Sequence, residues 1–218
     1  MMTLALVECV LHHRQVPEMV SAAVLAGGAS RRLAQDKAWV ALADGRSFVG
    51  RAIDVLTELA DEVFIVANDP RFASLEVPVF ADDHPGGGPL GGIATALRRA
   101  SHERVLVAAC DLPFMSPDVW RFLLRHADAT HDAVIPVVDG RWQVLHAVYT
   151  RAALPTVANA LRAGDLTVEA AVRQLRCCAI PEEELRALDP ELHSFMNVNT
   201  RGDLLVARAA DAHRGSRS

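Results

Sequence analysis

The stretch VLAGGASRRLAQDKA, residues 24–38, ends one kind of structure and begins another. Residues 21–26 form an unbroken small and aliphatic run that stops at Gly27-Gly28. A short apolar run bounded by glycine reads as a strand buried on both faces, as parallel sheets require. The glycine pair lets the backbone turn sharply and approach a ligand without Cβ interference. Successive amides of such a loop form a nest for phosphate oxygens. Ser30 could add a hydroxyl, and Arg31, Arg32 and Lys37 add positive charge. Lys37 is the only lysine in a chain with 22 Lys and Arg together. A chain that writes arginine almost everywhere keeps one compact, flexible ammonium where a planar guanidinium fork would fit differently. The alternative is an ordinary strand-to-loop turn with Lys37 as a solvated charge. A Walker A loop is excluded, because Asp36 rather than Gly precedes Lys37.

Outward from this loop, aliphatic runs alternate with helical spacing. Residues 47–60 carry Phe48, Ala52, Val55, Leu56 and Leu59 on one helical face. Residues 62–67 and 77–80 read as strands, 90–100 as a helix and 104–109 as a further strand. Pro117 after Ser116 opens another helix. Strands are expected in DAVIPV (132–137), WQVLHAVYT (142–150) and FMNVNT (195–200), with helices starting at Arg151 and Thr167 and a last helix capped by Thr200. Strands alternating with helices of 10–15 residues predict βαβ units, an α/β fold with a mostly parallel sheet and helices on both faces. The boundaries expected are an N-terminal extension over 1–19, one domain over 20–210 and a frayed tail over 211–218.

Composition narrows the function. The chain has 218 residues, 51% hydrophobic and only 5% aromatic, so aliphatic and Ala packing must fill the core. A formal charge of −5 excludes a broad phosphate-tracking surface for nucleic acid. No apolar run reaches the ~20 residues of a membrane span, and the N-terminus lacks a basic segment and a signal cleavage site. Cys9, Cys110, Cys177 and Cys178 form no CxxC pair and read as small buried hydrophobes of a reducing, cytoplasmic compartment. The histidines, His146 among them, show no zinc spacing and are expected on surfaces or loops. Glu182, Glu183 and Glu184 read as the solvated first turn of a helix.

In open α/β sheets, ligands lie beyond the carboxyl ends of the strands. Asn68 follows the second strand, as a turn residue or a ligand contact. After the third comes DDHPGGGPLGG (82–92), whose GxGxxG match fails as a dinucleotide fingerprint because Pro89 sits inside it and Asp82-Asp83-His84-Pro85 intervene after the strand. Asp111 follows the aliphatic run 105–109, either as a turn initiator before Pro113 or as a hard oxygen ligand of the kind Mg²⁺ takes. Asn197 and Asn199 are spaced to share one face of a short strand.

Together these segments resemble the nucleotidyltransferases of the molybdenum cofactor guanylyltransferase kind. The first loop matches LAGGxSxRMGxDKA at Leu25, Ala26, Gly27, Gly28, Ser30, Arg32, Asp36, Lys37 and Ala38, and departs at Leu33 and Ala34. Gly88-Pro89-Leu90-Gly91-Gly92, CDLPF (110–114) and NVNT (197–200) follow in the family's order, while Val144 replaces its proline in QVLHAVYTR. The resemblance implies a three-layer α/β/α, Rossmann-like nucleotide-binding domain. It implies GMP transfer from GTP to the molybdopterin form of the molybdenum cofactor, with release of pyrophosphate. It assigns nucleotide binding to Leu25, Ala26, Gly27, Gly28, Lys37, Asn68, Asp82 and Asp111, with guanine read by Asp82 and the Leu25 backbone. It assigns catalysis to Lys37, Arg32 and Asp111, Mg²⁺ to Asp111, and the acceptor side to Asn197 and Asn199. Other proteins of the cofactor pathway are implied as partners. A cytidylyltransferase on the same pterin, another small-metabolite nucleotidyltransferase and a non-catalytic cofactor carrier are the alternatives.

Overall fold

The computed structural model describes residues 19–27 and 37–215. The first strand, β1 (Val20–Leu25), has every residue buried and lies between two parallel partners. These are β2 (Glu62–Val66) and β4 (Arg104–Ala109), with β3 (Val79–Phe80) parallel at the far side of β2. Beyond β4 come β7 (His146–Thr150), β5 (Ala133–Val138) and the short β6 (Arg141–Trp142), with β8 (Cys177–Ile180) parallel to β5. The expected parallel sheet holds across β1 to β4, and β7 runs antiparallel between β4 and β5.

Because side chains alternate across a strand, neighbouring residues supply different cores. Ala22, Val24, Leu106 and Ala108 pack on one face with α1 (Phe48–Thr57) and α3 (Pro117–His126). Ala23, Leu25, Val105 and Val107 pack on the other with α2 (Gly88–Arg99), α4 (Leu154–Ala163) and α5 (Val168–Val172). This is the expected three-layer α/β/α arrangement. The acidic run 182–184 opens α6 (Glu182–Arg186), and Glu182 pairs with Arg186.

A third apolar cluster fastens the C-terminal helix α7 (Arg201–Gly215) to the strand tips. It joins Val40, Leu42, Phe48 and Phe114 to Val198, Leu204 and Ala207. Burying an aliphatic side chain such as Val198 contributes about 1.5–3 kcal/mol. α7 continues through residues 211–215, where a frayed tail is expected, and Asp211 accepts hydrogen bonds from the Ala43 amide and Arg51.

FMNVNT is not a strand. Phe195 ends a 3₁₀ turn, Met196 after it is extended, and 196–200 carry no ladder. The Val198 amide bonds to the Asp111 carbonyl at 3.0 Å, and the Asn199 and Thr200 amides are taken by the Asp203 carboxylate. Thr200 caps α7 through its hydroxyl, as expected. The alternation survives without the sheet: Asn197 is exposed, Val198 buried and Asn199 half-buried.

His146 also departs from expectation. It is fully buried in β7, stacked on Trp120 with centroids 4.2 Å apart and next to Phe195. Burial pushes its imidazole down to about 3. None of Cys110, Cys177 and Cys178 is in a disulfide. Among the described residues no helix is long and apolar enough to cross a membrane.

Candidate active site

The chain crosses from β1 to β2 on one side and returns to β4 on the other, so strand order reverses at the tips of β1 and β4. That is where an open α/β sheet leaves a crevice. Leu25 is level with both Val66 and Ala109, and a cleft of about 710 Å³ opens just beyond them. Leu25, Ala26, Gly27, Lys37, Asn68, Asp82, Asp111 and Asn197 all line it. Gly28 and Arg32, with Ala34 and the rest of 28–36, lie outside the described residues.

Asp111 sits two residues past β4. Its Oδ2 is 3.5 Å from Lys37 Nζ, and both side chains are about four-fifths buried. The other oxygen, Oδ1, is buried with no hydrogen-bond partner among the described residues. Burial raises the Asp111 carboxyl above its ordinary value, against the opposing pull of the Lys37 ammonium. Lys37 begins a 3₁₀ turn, Lys37–Trp39, that docks on α1. Its ammonium also donates to Asn199 Oδ1. Residues 37, 111 and 199 thus converge from three chain segments, and only Asn199 arrives by way of α7 and its apolar anchor. The lone lysine stands where a small ammonium reaches two acceptors at once.

The opposite wall is built by α2. Asp82 and Asp83 separate cleanly. Asp83 is held by Arg98 and Arg99 at 2.9 and 2.7 Å, whereas Asp82 faces the cleft. Asp82 Oδ1 accepts from the His84 amide and from Thr95 Oγ1, at 2.9 and 3.0 Å. The Asp82 amide in turn donates to Asn68 Oδ1 at 2.9 Å. One carboxylate oxygen is therefore spent on the loop, so Asp82 does not offer an open pair of acceptors. The Leu25 carbonyl already accepts from the Cys110 amide at 3.2 Å, and its side chain meets Gly92. The glycine run has a packing reason. A Cβ on Gly91 would lie 2.9 Å from the His84 carbonyl oxygen and 3.3 Å from Asp82 Oδ2. α2 begins at Gly88, two residues before the expected start, and Gly88 and Pro89 bring its N-terminus to the cleft. Helix N-termini favour anions there.

On the remaining wall the motifs mark only the departure at Val144 and assign no ligand contact. Trp142, Gln143, Val144 and His146 line it, between β6 and β7. WQVLHAVYT is interrupted there, because the His146 amide turns back to the Gln143 carbonyl at 2.9 Å. Tyr149 Oη donates to the Val144 carbonyl at 2.9 Å, fixing the segment where the family's proline is replaced. The available signal for Trp142 was its rarity, one of three tryptophans in an aromatic-poor chain.

The cleft brings an ammonium–carboxylate pair and the N-terminus of α2 to one place, features suited to an anionic ligand. The molybdenum cofactor guanylyltransferase of Desulfosudis oleivorans is 34% identical over 194 residues, 88% of this chain and 96% of its own. A probable molybdenum cofactor guanylyltransferase of Pelotomaculum thermopropionicum is 36% identical over 187 residues, covering 85% and 90%. The crystal structure of molybdopterin-guanine dinucleotide biosynthesis protein A from Archaeoglobus fulgidus superposes with a TM-score of 0.78 at 31% identity, covering 88% of this chain and 99% of that one. Residues 22–178 match the MobA-like NTP transferase domain. The chain belongs to the MobA-like NTP transferase family, alongside its molybdenum cofactor guanylyltransferases.

Proposed function

We propose that this nucleotidyltransferase takes GTP and the molybdopterin form of the molybdenum cofactor and makes the guanine dinucleotide cofactor. The acceptor's terminal phosphate attacks the α-phosphorus of GTP, the bond to the β-phosphate breaks, and pyrophosphate leaves. No protein nucleophile is needed, because the attacking phosphate is already an anion. Catalysis is then positioning and charge stabilisation. The observation that carries the proposal is Lys37 and Asp111 side by side in the cleft, 3.5 Å apart. Lys37 stabilises charge on the departing pyrophosphate, with Arg32 and the Gly27 and Gly28 amides assigned to the same task by motif. Asn68 and Asp82 hold the nucleoside end, and Asn197 and Asn199 face the acceptor.

Asp111 suits a divalent cation. Its Oδ1 is buried, without a hydrogen-bond partner among the described residues, and a hard donor, the kind Mg²⁺ accepts along with waters and substrate phosphates. Among the described residues no three His, Cys, Asp or Glu side chains converge as a cage. Bound there, Mg²⁺ would neutralise phosphate charge during transfer.

The test is to incubate the protein with molybdopterin, Mg²⁺ and each labelled nucleoside triphosphate. Pyrophosphate release with GTP is expected. Preference for CTP would make it a cytidylyltransferase, and nucleotide binding without pyrophosphate release would make it a carrier.

A further inference from the structure

We propose that Thr95 is a positioning residue for base selection, acting through Asp82. The inference rests on the nucleotide reading of the cleft but not on which base is preferred.

Thr95 lies on α2, fully buried, away from the cleft lining. Both capacities of its hydroxyl are used: it donates to Asp82 Oδ1 at 3.0 Å and accepts from the Asp83 amide at 3.0 Å. The same helical face carries Arg98 and Arg99, three and four residues on, and these hold the Asp83 carboxylate. Residues at that spacing are neighbours on a helix. One face of α2 therefore grips the Asp82–Asp83 turn at its amide and at both side chains. The grip decides which atom meets the ligand. With Oδ1 taken by Thr95 and by the His84 amide, Oδ2 is the acceptor without a protein partner among the described residues. The base is then read by one fixed acceptor rather than by a swivelling carboxylate. Gly91 maintains this geometry, since a Cβ there would press on Oδ2.

Thr95→Val keeps the shape and removes the hydroxyl, while Thr95→Ser restores it. The measurements are steady-state KM and kcat for each nucleoside triphosphate, calorimetric binding of the triphosphate that the wild type prefers, and calorimetric binding of pyrophosphate as a base-free probe. Losing one hydrogen bond to a carboxylate predicts a KM for the preferred triphosphate raised about tenfold or more in Thr95→Val. Its kcat should stay within about threefold, and preference over the other bases should narrow by a similar factor. Affinity for pyrophosphate should be unchanged, and Thr95→Ser should recover the wild-type values. A thermal melt confirms that Thr95→Val is folded; should it fail to fold, Thr95→Ala and Thr95→Cys carry the same comparison. Unchanged KM and base preference in a folded hydroxyl-free variant would overturn the proposal, as would equal losses of triphosphate and pyrophosphate binding. Wild-type preference for a base other than guanine would instead overturn the guanine reading, and leave the Thr95 comparison to be made on that base.

Discussion

Replacing Asp111 by asparagine should abolish turnover without weakening the fold. The structure sets two opposing energies on this carboxylate. At 3.5 Å from Lys37 Nζ, the ion-pair attraction is about 5 kcal/mol gross at an effective dielectric constant of about 20. Yet the Asp111 carboxyl lies above its ordinary value, because desolvation outweighs that attraction. A carboxyl raised in the folded state is one whose ionisation opposes folding. Stability is higher below the ordinary value near 3.8 and falls as pH rises through the raised one. Asn carries no charge, so Asp111→Asn removes this decline. Against that gain stands about 1–3 kcal/mol if the new amide group finds no partner where Oδ1 lies. The terms oppose each other, and the melting temperature at neutral pH should stay within about 4 °C of wild type, or rise. Function gives no such cancellation. Pyrophosphate release should fall about 10²–10³-fold, as when comparable charge-stabilising groups are removed. Saturating Mg²⁺ and GTP, which at ~100 times Kd stabilise a protein by about 2.7 kcal/mol, should raise the variant's melting temperature less than the wild type's. Turnover within tenfold of wild type would refute the catalytic role. A large fall in melting temperature would show instead that the pair exists to hold the fold.

Lys37→Ala should likewise lose about 10²–10³ in kcat/KM for pyrophosphate release, with circular dichroism unchanged. Gly91→Ala gains up to about 1 kcal/mol of helix propensity, but its Cβ would lie 2.9 Å from the His84 carbonyl oxygen. Overpacking of this kind costs about 1–3 kcal/mol, so the melting temperature should fall by several degrees and the KM for GTP should rise; a stabilised variant would contradict the packing argument. His146 is depressed to about 3 by burial, so the unfolded chain binds a proton that the folded one refuses. Stability is therefore complete above about 6.5 and is lost as pH falls towards 3, at up to about 1.4 kcal/mol per pH unit. Urea midpoints measured between pH 7 and 4 should fall less steeply in His146→Phe than in wild type.

Much of this was legible in the residue order. Continuous aliphatic runs between helical periods can only be buried strands of an α/β sheet, and glycine, Asn68 and Asp111 mark the strand ends where ligands bind. Residues with that placement gather in one cleft because parallel strands point their carboxyl ends the same way. What the sequence could not carry was partnership. FMNVNT has strand alternation, but a strand needs a neighbour, and its amides go to Asp203 and Asp111 instead. His146 looks like any polar residue until the sheet turns it onto Trp120. Asp82 and Asp83 are chemically alike, and only α2, with Thr95 on one and Arg98 and Arg99 on the other, makes one a cleft residue and the other a strut. Local pattern determines which aliphatic runs are buried as strands. Which atom of the Asp82 carboxylate remains to meet a ligand depends on donors from its own loop and from α2, and folding alone brings those together.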